Sequence, residues 1–468
     1  MLLTIDTGSI AGLSEEARIQ FRKLLDVFNK HATKNALKDR YYEGRIRLSE
    51  VNLGIALPEG MRGLEIGCSW GAKTVDVLAA RSMFDGYVGS NGAEIDQLTK
   101  LVNDNRLIAE YAKTCRDELK YGCSFATLSA DDSIGCRIRF HSPETAAGIW
   151  DGEKGRISCG FAVIDTSPTN EDDNLWMPSL INLYTDDYIW VIERRERTDM
   201  WSAIPYPHRM GRPLMEPLIW NATSSKPFGR SRIKEPIRRL IQGYVRTIAN
   251  ATIGLEFATS PQKYLLGVTD EQYDAVVSQK FKQYVGSIIA STVNPETGEK
   301  PTFGQLQQGH IAPHVEMLRI LATQFSAATG LTVTDTGVVN DANPTSSDAI
   351  LAQTQTLVGM AEQLNCGNGD ALRTVALMAL AILNDTTIDN LSDDQKEAMP
   401  HFKNPAMPSV SVTADAAIKI ASARENFAKT DTFLEMIGFD QADIRRIKAQ
   451  EQRARGLDVI GEIQSGEE

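Results

Sequence analysis

Few residues in this chain could do chemistry, and each spacing stops one step short of a working motif. In Leu64-Glu65-Ile66-Gly67-Cys68-Ser69-Trp70-Gly71 a short apolar run ends in glycines. Glycine has no Cβ, so such a turn lets backbone approach a bound cofactor closely. The middle position is Ser69, which takes that approach away, although Glu94 and Asp96 follow about where an acidic ribose ligand would sit. Gly67 with Ala72, Lys73 and Thr74 would form a phosphate-binding loop if Ala72 were glycine, because that glycine permits the turn whose N–H groups cradle phosphates. His310 and His314 lie four apart and share a helical face that a metal could use. The residues between them, Ile311, Ala312 and Pro313, include no glutamate to act as a base. The six cysteines, Cys68, Cys115, Cys123, Cys136, Cys159 and Cys366, form no C-x-x-C pair and read as reduced thiols. Spacing assigns no Ser-His-Asp or Cys-His arrangement. The expectation is no catalytic residue, no cofactor and no metal.

Charge offers two further features. The chain of 468 residues has 49 basic and 61 acidic side chains, a net charge of −12. That argues against affinity for nucleic acid over the whole surface, because phosphate binding needs excess cation. Against this background Arg230, Arg232, Lys234, Arg238 and Arg239 cluster, with Glu235 alone opposing them. They begin a helix, where positive charge opposes the macrodipole. The cluster is either a partner surface (for phosphate or a neighbouring subunit) or a solvated helix start. The stretch Leu331–Thr345 holds Asp335 and Asp341 and no Lys or Arg. With 42% apolar and 24% charged residues the composition is globular. The longest apolar run, Val375–Leu383, falls well short of the roughly 20 residues of a membrane span, so no membrane contact is expected. Met1–Ile10 carries Asp6 and no basic residue, unlike a secretory signal.

These residues must be held by elements the periodicity predicts. Apolar positions at helical spacing predict helices over Ser14–Ala36, Gly71–Ser82 and Ile95–Leu119, with Lys38–Gly44 as a turn. From Phe125 to Trp220 short β-branched and aromatic runs alternate with Gly, Asp, Asn and Pro clusters, the pattern of an antiparallel sheet. Asp165–Asp173 reads as a hairpin tip. Two amphipathic helices follow, Ser231–Leu255 and Gly309–Thr329, flanking a compact insert. Ser347 begins a long helix to about Asn365, Cys366-Gly367-Asn368-Gly369 breaks it, and a second segment runs Asp370–Leu383. Thr413–Ile463 is helical and alanine-rich. The fold class is α+β.

Two resemblances compete for this pattern. The Leu64–Gly71 stretch looks like the first motif of S-adenosylmethionine-dependent methyltransferases, but no alternating strand–helix units follow it. The order of elements resembles the portal protein of tailed double-stranded DNA bacteriophages, in the branch found in phages of Gram-positive hosts. Tyr41-Tyr42-Glu43-Gly44 is similar to that family's Y-Y-x-G turn. Trp70 through Val75-Asp76, Leu78 and Arg81 to Phe84-Asp85-Gly86-Tyr87 is similar to its W-x-x-x-x-V-D-x-L-x-x-R…F-x-G-[FY] stretch. Gly211-Arg212-Pro213, Gly229-Arg230-Ser231-Arg232-Ile233 and Asn343-Pro344-Thr345-Ser346-Ser347-Asp348-Ala349-Ile350 match further runs. The resemblance covers most of Ser14–Leu383.

The portal resemblance implies a ring, usually of twelve subunits, at one capsid vertex of the virion, assembled in the host cytoplasm. It implies a wing over 1–225, a first stem helix over 226–258, a clip over 259–308 and a second stem helix over 309–330. A tunnel loop over 331–345, a long wing helix and return over 346–412, and a helical crown over 413–468 complete the subunit. Asp335, Thr336, Gly337, Val338, Asn340, Asp341 and Asn343 would line the channel. The implied partners are the terminase large subunit, a head-completion adaptor, scaffold and major capsid protein, and double-stranded DNA passing without sequence specificity. No catalysis is implied.

Overall fold

The computed structural model describes residues 2–47, 65–89, 95–168, 176–195, 200–259, 263–266, 298, 302–305, 311–337, 347–406, 410–424, 426–439, 443–444 and 446–454. The first helix, α1 (Glu15–Tyr42), starts where expected, the Ser14 hydroxyl accepting from the Ala17 N–H. It continues through Lys38–Tyr42, where a turn was expected. Tyr41 is buried, so the core holds the extra turns. A ribbon of β1 (Arg45–Arg47) and β2 (Glu65–Gly67) leads to α2 (Trp70–Ala79) and β3 (Phe84–Val88).

The single helix expected over Ile95–Leu119 is two: α3 (Asp96–Asp104) and α4 (Leu107–Tyr121). The break has a cause in the sheet beside it. Strands β4 (Cys123–Asp131) and β5 (Gly135–His141) pair with β11 (Met215–Ile219) in the order β11-β4-β5, leaving β5 at an edge. Buried Asn105 closes that edge. Its Nδ2 donates to Cys136 O at 3.0 Å and to Leu101 O at 3.1 Å, and its Oδ1 accepts from the Ile138 N–H at 2.9 Å. Arg106 then takes a left-handed conformation, φ 51°.

The second sheet has the order β10-β9-β8-β7-β6, from β6 (Ala146–Asp151), β7 (Arg156–Pro168), β8 (Trp176–Tyr184), β9 (Tyr188–Arg194) and β10 (Trp201–Pro207). Its strands alternate. Ile181, Leu183, Trp190 and Ile192 bury against α1, whose Phe21 and Phe28 each meet Phe161 at 5.6 Å. Leu180, Asn182, Ile189 and Val191 face the other way, by the same alternation. The outer edge of β10 is blunted. Ala11 bonds Trp201 O and the Ala203 N–H there, and the next outward residues, Pro205 and Pro207, carry no N–H. Asp165–Pro168 is strand, and the rest of the expected hairpin tip lies outside the described residues.

Helix α5 (Glu235–Thr259) and α6 (Ala312–Thr329) flank a short antiparallel pair, β12 (Lys263–Leu266) with β13 (Thr302–Gln305). Helix α7 (Ser347–Leu383) runs through the larger core as one piece of 37 residues, against the expected break at Cys366–Gly369. Gly369 faces Phe402 and Pro400 of β14 (Met399–Phe402) and Gly367 faces Ile219 O, with room at both for a Cβ, so it is the packing of α7 against these strands that carries the helix through. Asn368 is fully buried and turns sideways instead of bonding its own backbone. Its Nδ2 donates to the Tyr111 hydroxyl at 2.9 Å and to Glu118 Oε2 at 2.7 Å. By length and composition α7 could cross a membrane. Its apolar residues Leu357, Ala361, Leu364, Leu372, Val375 and Leu380 are instead buried in the core of the chain. Two further helices, α8 (Val410–Ala423) and α9 (Asp431–Ile437), lie beyond β14.

Two outcomes test these joints. Asn105→Leu leaves the Cys136 C=O and the Ile138 N–H buried and unmatched, and lowers unfolding free energy by about 2–4 kcal/mol in chemical denaturation. Burial pushes the Glu118 carboxyl up to about 8, so the folded chain holds that proton longer than the unfolded chain does. Glu118 therefore contributes stability that is fully present below about pH 4.5 and is lost as pH rises through about 8. Glu118→Gln, neutral at every pH, flattens that decline in denaturation curves recorded from pH 5 to 8.5.

Candidate functional site

Three of the residues singled out in the sequence, Trp70, Arg232 and Thr336, meet at the base of the α5–α6 pair, with Trp70 at the centre. Gly71 puts it there. A Cβ on Gly71 would lie 1.9 Å from Tyr41 O, so only glycine lets α2 dock on the end of α1. Trp70, 2% exposed, stacks on Phe325 of α6 at 4.6 Å and 28°, and meets Tyr244 of α5 at 4.6 Å and 42°. Its indole N–H donates to Thr336 O at 3.1 Å. One side chain thus holds both helices and the loop that follows them.

Arg232 braces the same base. It is 8% exposed, and its Nε donates to Thr74 O at 2.6 Å and its Nη2 to Thr329 O at 2.7 Å. Thr329 is the last residue of α6, where orphan carbonyls carry the negative end of the dipole. Burial pulls the guanidinium down to about 10, so it stays charged at neutral pH. The segment that delivers it is threaded tightly. Gly229 has φ 65°, and a Cβ there would lie 2.1 Å from Trp220 O. Arg230 N–H donates to Trp220 O and Arg232 N–H to Leu119 O.

The basic cluster is therefore not one surface. Arg232 is internal, and Arg238 is half-buried, donating to Ile233 O at 3.1 Å and lying 5.9 Å from the Tyr41 ring. Arg239 pairs with Glu235 at 3.3 Å on the exposed side of α5. Arg230 and Lys234 are exposed and, among the described residues, make no ion pair. Partial burial, then Arg230 and Arg232, hold the Lys234 ammonium below its ordinary value.

The expected channel loop divides too. Asp335 is half-buried and caps its own turn, its Oδ2 accepting from the Thr332 N–H at 2.9 Å and hydroxyl at 2.8 Å. The Thr336 side chain, expected to line a channel, is buried and donates to Val333 O, because Trp70 draws this turn inward. Gly337 is exposed at φ 76°. Val338, Asn340, Asp341 and Asn343 lie outside the described residues, as does His310; His314 sits in the first turn of α6.

Farther from the base, the α5–α6 pair is uncovered. Val315, Met317, Ile320 and Leu255 are 45%, 44%, 45% and 46% exposed. The inner seam is formed by Ile237, Ile241, Val245 and Ala249 on α5 with Leu321 and Phe325 on α6.

The glycine-rich stretch serves this packing. Its strand β2 pairs antiparallel with β1, and every named strand pair among the described residues is antiparallel, unlike a doubly wound nucleotide-binding sheet. The Thr74 hydroxyl of the near phosphate loop is buried and donates to Trp70 O.

No protein-family model matches this chain, and no curated protein matches it. Among solved structures, the chain is similar to a chain of the virion of a native gene transfer agent particle, with 10% identity and a TM-score of 0.44. The match covers 76% of this chain and 86% of that one. It is similar to a chain from the neck of the empty particle, computed with C6 symmetry, at 11% identity and TM-score 0.46, over 76% and 86% of the two chains. A chain from the neck of the native particle, computed with C12 symmetry, gives 11%, 0.44, 79% and 89%.

Substitutions at the base separate its parts. Trp70→Ala removes a buried ring between two helices and costs about 3–5 kcal/mol in chemical denaturation. Trp70→Phe keeps a ring but gives up part of the buried indole as well as the bond to Thr336 O, and costs about 1–3 kcal/mol. Arg232→Met leaves Thr329 O, at the end of α6, without its donor and costs about 1–3 kcal/mol.

Proposed function

We propose that the chain is a portal-type ring subunit, a DNA conduit and docking platform rather than an enzyme. The observation that carries this reading is the α5–α6 pair. It is anchored at its base by Trp70 and Arg232, and it carries an insert at its far end. Away from the base it presents the exposed apolar residues Val315, Met317, Ile320 and Leu255. At about 100° per residue Val315 stands on the opposite flank of α6 from Met317, so apolar side chains face outward on both sides, where copies of the same chain packed around an axis would cover them.

In this reading the wing spans 1–225, the stem helices 226–258 and 309–330, the clip 259–308 and the tunnel loop 331–345. The long wing helix and return span 346–412, and the crown spans 413–468. Twelve copies close at one vertex of the capsid, as the portal resemblance implies. Each chain carries −12, so the ring as a whole repels phosphate and lets a duplex slide without sticking. Terminase, scaffold and capsid protein, and later a head-completion adaptor, dock on the outer surfaces. Arg230 and Lys234 remain the exposed cations of the stem base, open to a partner carboxylate or phosphate.

Light scattering and negative-stain microscopy of the purified chain test the reading. The expected result is an annular particle of many times the single-chain mass. Val315→Glu with Ile320→Glu keeps the native circular dichroism and sediments as a monomer. A wild-type chain that stays monomeric at high concentration overturns the reading.

A further inference from the structure

The described chain carries two charged surfaces of opposite sign. The first lies on α1. At about 100° per residue, Lys30, His31, Lys34 and Lys38 share one flank of that helix, beside the buried flank of Phe21 and Phe28. His31 and Lys38 line, with Arg230, a cleft of about 190 Å³. Lys234 next to Arg230, and Arg238 next to Lys38, continue the surface onto α5. Lys30, Lys34, Arg230 and Lys234 are exposed and make no ion pair among the described residues. Asp26 and Glu144 stand at the margins and pair with none of these cations, while Asp39 is taken by Lys120 and Glu235 by Arg239. Half-buried Lys38 meets only uncharged acceptors, Tyr121 O at 2.8 Å and Asn35 Oδ1 at 3.5 Å. Burial first, with Arg238 and Lys34 adding to it, holds its ammonium below the ordinary value. Burial, then Lys34, Lys38 and Lys30, does the same to His31. Such a surface repels itself in a lone subunit, and an outside carboxylate relieves it.

The second surface follows the end of α7. Asp385, Asp389, Asp393, Asp394 and Glu397 are exposed and make no ion pair among the described residues. Lys396 is the one cation between positions 385 and 397, and its Nζ is bound to Asp389 O at 2.8 Å. Arg139 and Arg209 line the cleft behind the five-stranded sheet with Asp385 alone of these carboxylates. The two surfaces lie at opposite ends of the three-stranded sheet. Cys123, the first residue of β4, lines the cleft of Lys38 and Arg230. Gly135, paired with Asp131 at the other end of β4, abuts Leu383, the last residue of α7. Nine residues of strand separate them, about 27 Å at roughly 3.4 Å per residue. That is several times the screening length of about 8 Å at physiological salt. Within one chain the two surfaces therefore do not neutralise each other.

We propose that the cationic surface of α1 and Arg230 on one subunit docks the acidic 385–397 segment of the next copy of this chain. Two different surfaces of one chain meeting in this way make a heterologous contact, the kind that closes rings. The partner is a copy rather than a nucleic acid for two reasons. Each copy supplies the carboxylates in step with the cations, and a chain of −12 opposes the approach of a polyanion. The inference rests on the ring reading and adds to it which surfaces meet.

Sedimentation velocity of the full chain, with circular dichroism to check folding, tests the contact by charge reversal. Lys30→Glu with Lys34→Glu and Arg230→Glu, all at exposed positions, raises the concentration of half-assembly at least tenfold. Asp389→Lys with Asp394→Lys and Glu397→Lys does the same. An equimolar mixture of the two variants restores assembly, and so does one chain carrying all six changes, because every reversed surface then meets an opposite one. If a triple variant misfolds, Lys34→Glu, Asp394→Lys and the two combined run the same cycle. Assembly that either reversal leaves unchanged overturns this contact and leaves the ring reading standing, as does a mixture that stays unassembled. Loss of duplex DNA binding with assembly intact assigns the cations to nucleic acid and overturns it too. A wild-type chain that never assembles overturns both readings.

Discussion

A buried tryptophan must satisfy two demands at once: its ring needs close contact on both faces and its N–H needs an acceptor. Trp70 meets all of these with three different parts of the chain, Phe325, Tyr244 and Thr336 O. The consequence is geometric. Neither α5 nor α6 can pivot at its base without opening a void beside the ring, and the Leu331–Gly337 turn cannot leave without stripping the indole N–H. Arg232 adds a second tie, from the α5 approach to the last carbonyl of α6. A long helix pair that must carry load at its far end needs such a fixed root, because small rotations at the base become large displacements at the tip.

The rest of the larger core relies on polar side chains acting as joints between elements. Asn105 closes the β5 edge and ends α3 in one step. Asn368 carries α7 past two glycines and ties it to α4 through Tyr111 and Glu118. The Ser82 hydroxyl extends the same network, meeting Tyr111 at 2.7 Å and Asn365 at 2.6 Å. Each joint specifies one register, since a slip by one residue leaves buried polar groups unmatched. Glu118 in this setting holds its proton to well above the usual carboxylate range, so the network stays neutral where no cation is close enough to balance it.

Charge and apolar surface are distributed to different ends. At the base of the helix pair Arg232 turns inward and Arg239 pairs with Glu235, while Arg230 and Lys234 stay exposed. The far half keeps apolar side chains in water on both flanks of α6. Isolated, they are a liability; among copies they are contacts. The cleft behind the five-stranded sheet is a separate feature, walled by apolar side chains.

What the sequence determined by itself was the part governed by local period and net charge. The start of α1 at Ser14, the antiparallel character of the region after Phe125 and the two amphipathic helices around an insert all follow from side-chain spacing. So does the departure of the glycine-rich stretch from a cofactor-loop pattern at Ser69. What only tertiary structure decided was every place where a side chain leaves its own element to bond another. Periodicity cannot see Asn105 reaching a strand edge more than thirty residues away, so α3 and α4 looked like one helix. It reads Gly367 and Gly369 as breakers, because the packing against β11 and β14 that keeps this part of α7 helical lies outside any local window. It also groups five basic residues by position, when burial separates Arg232 from Lys234 two residues later. Local spacing encodes which face is apolar; which polar group is satisfied, and by what, depends on neighbours that only the folded chain brings together.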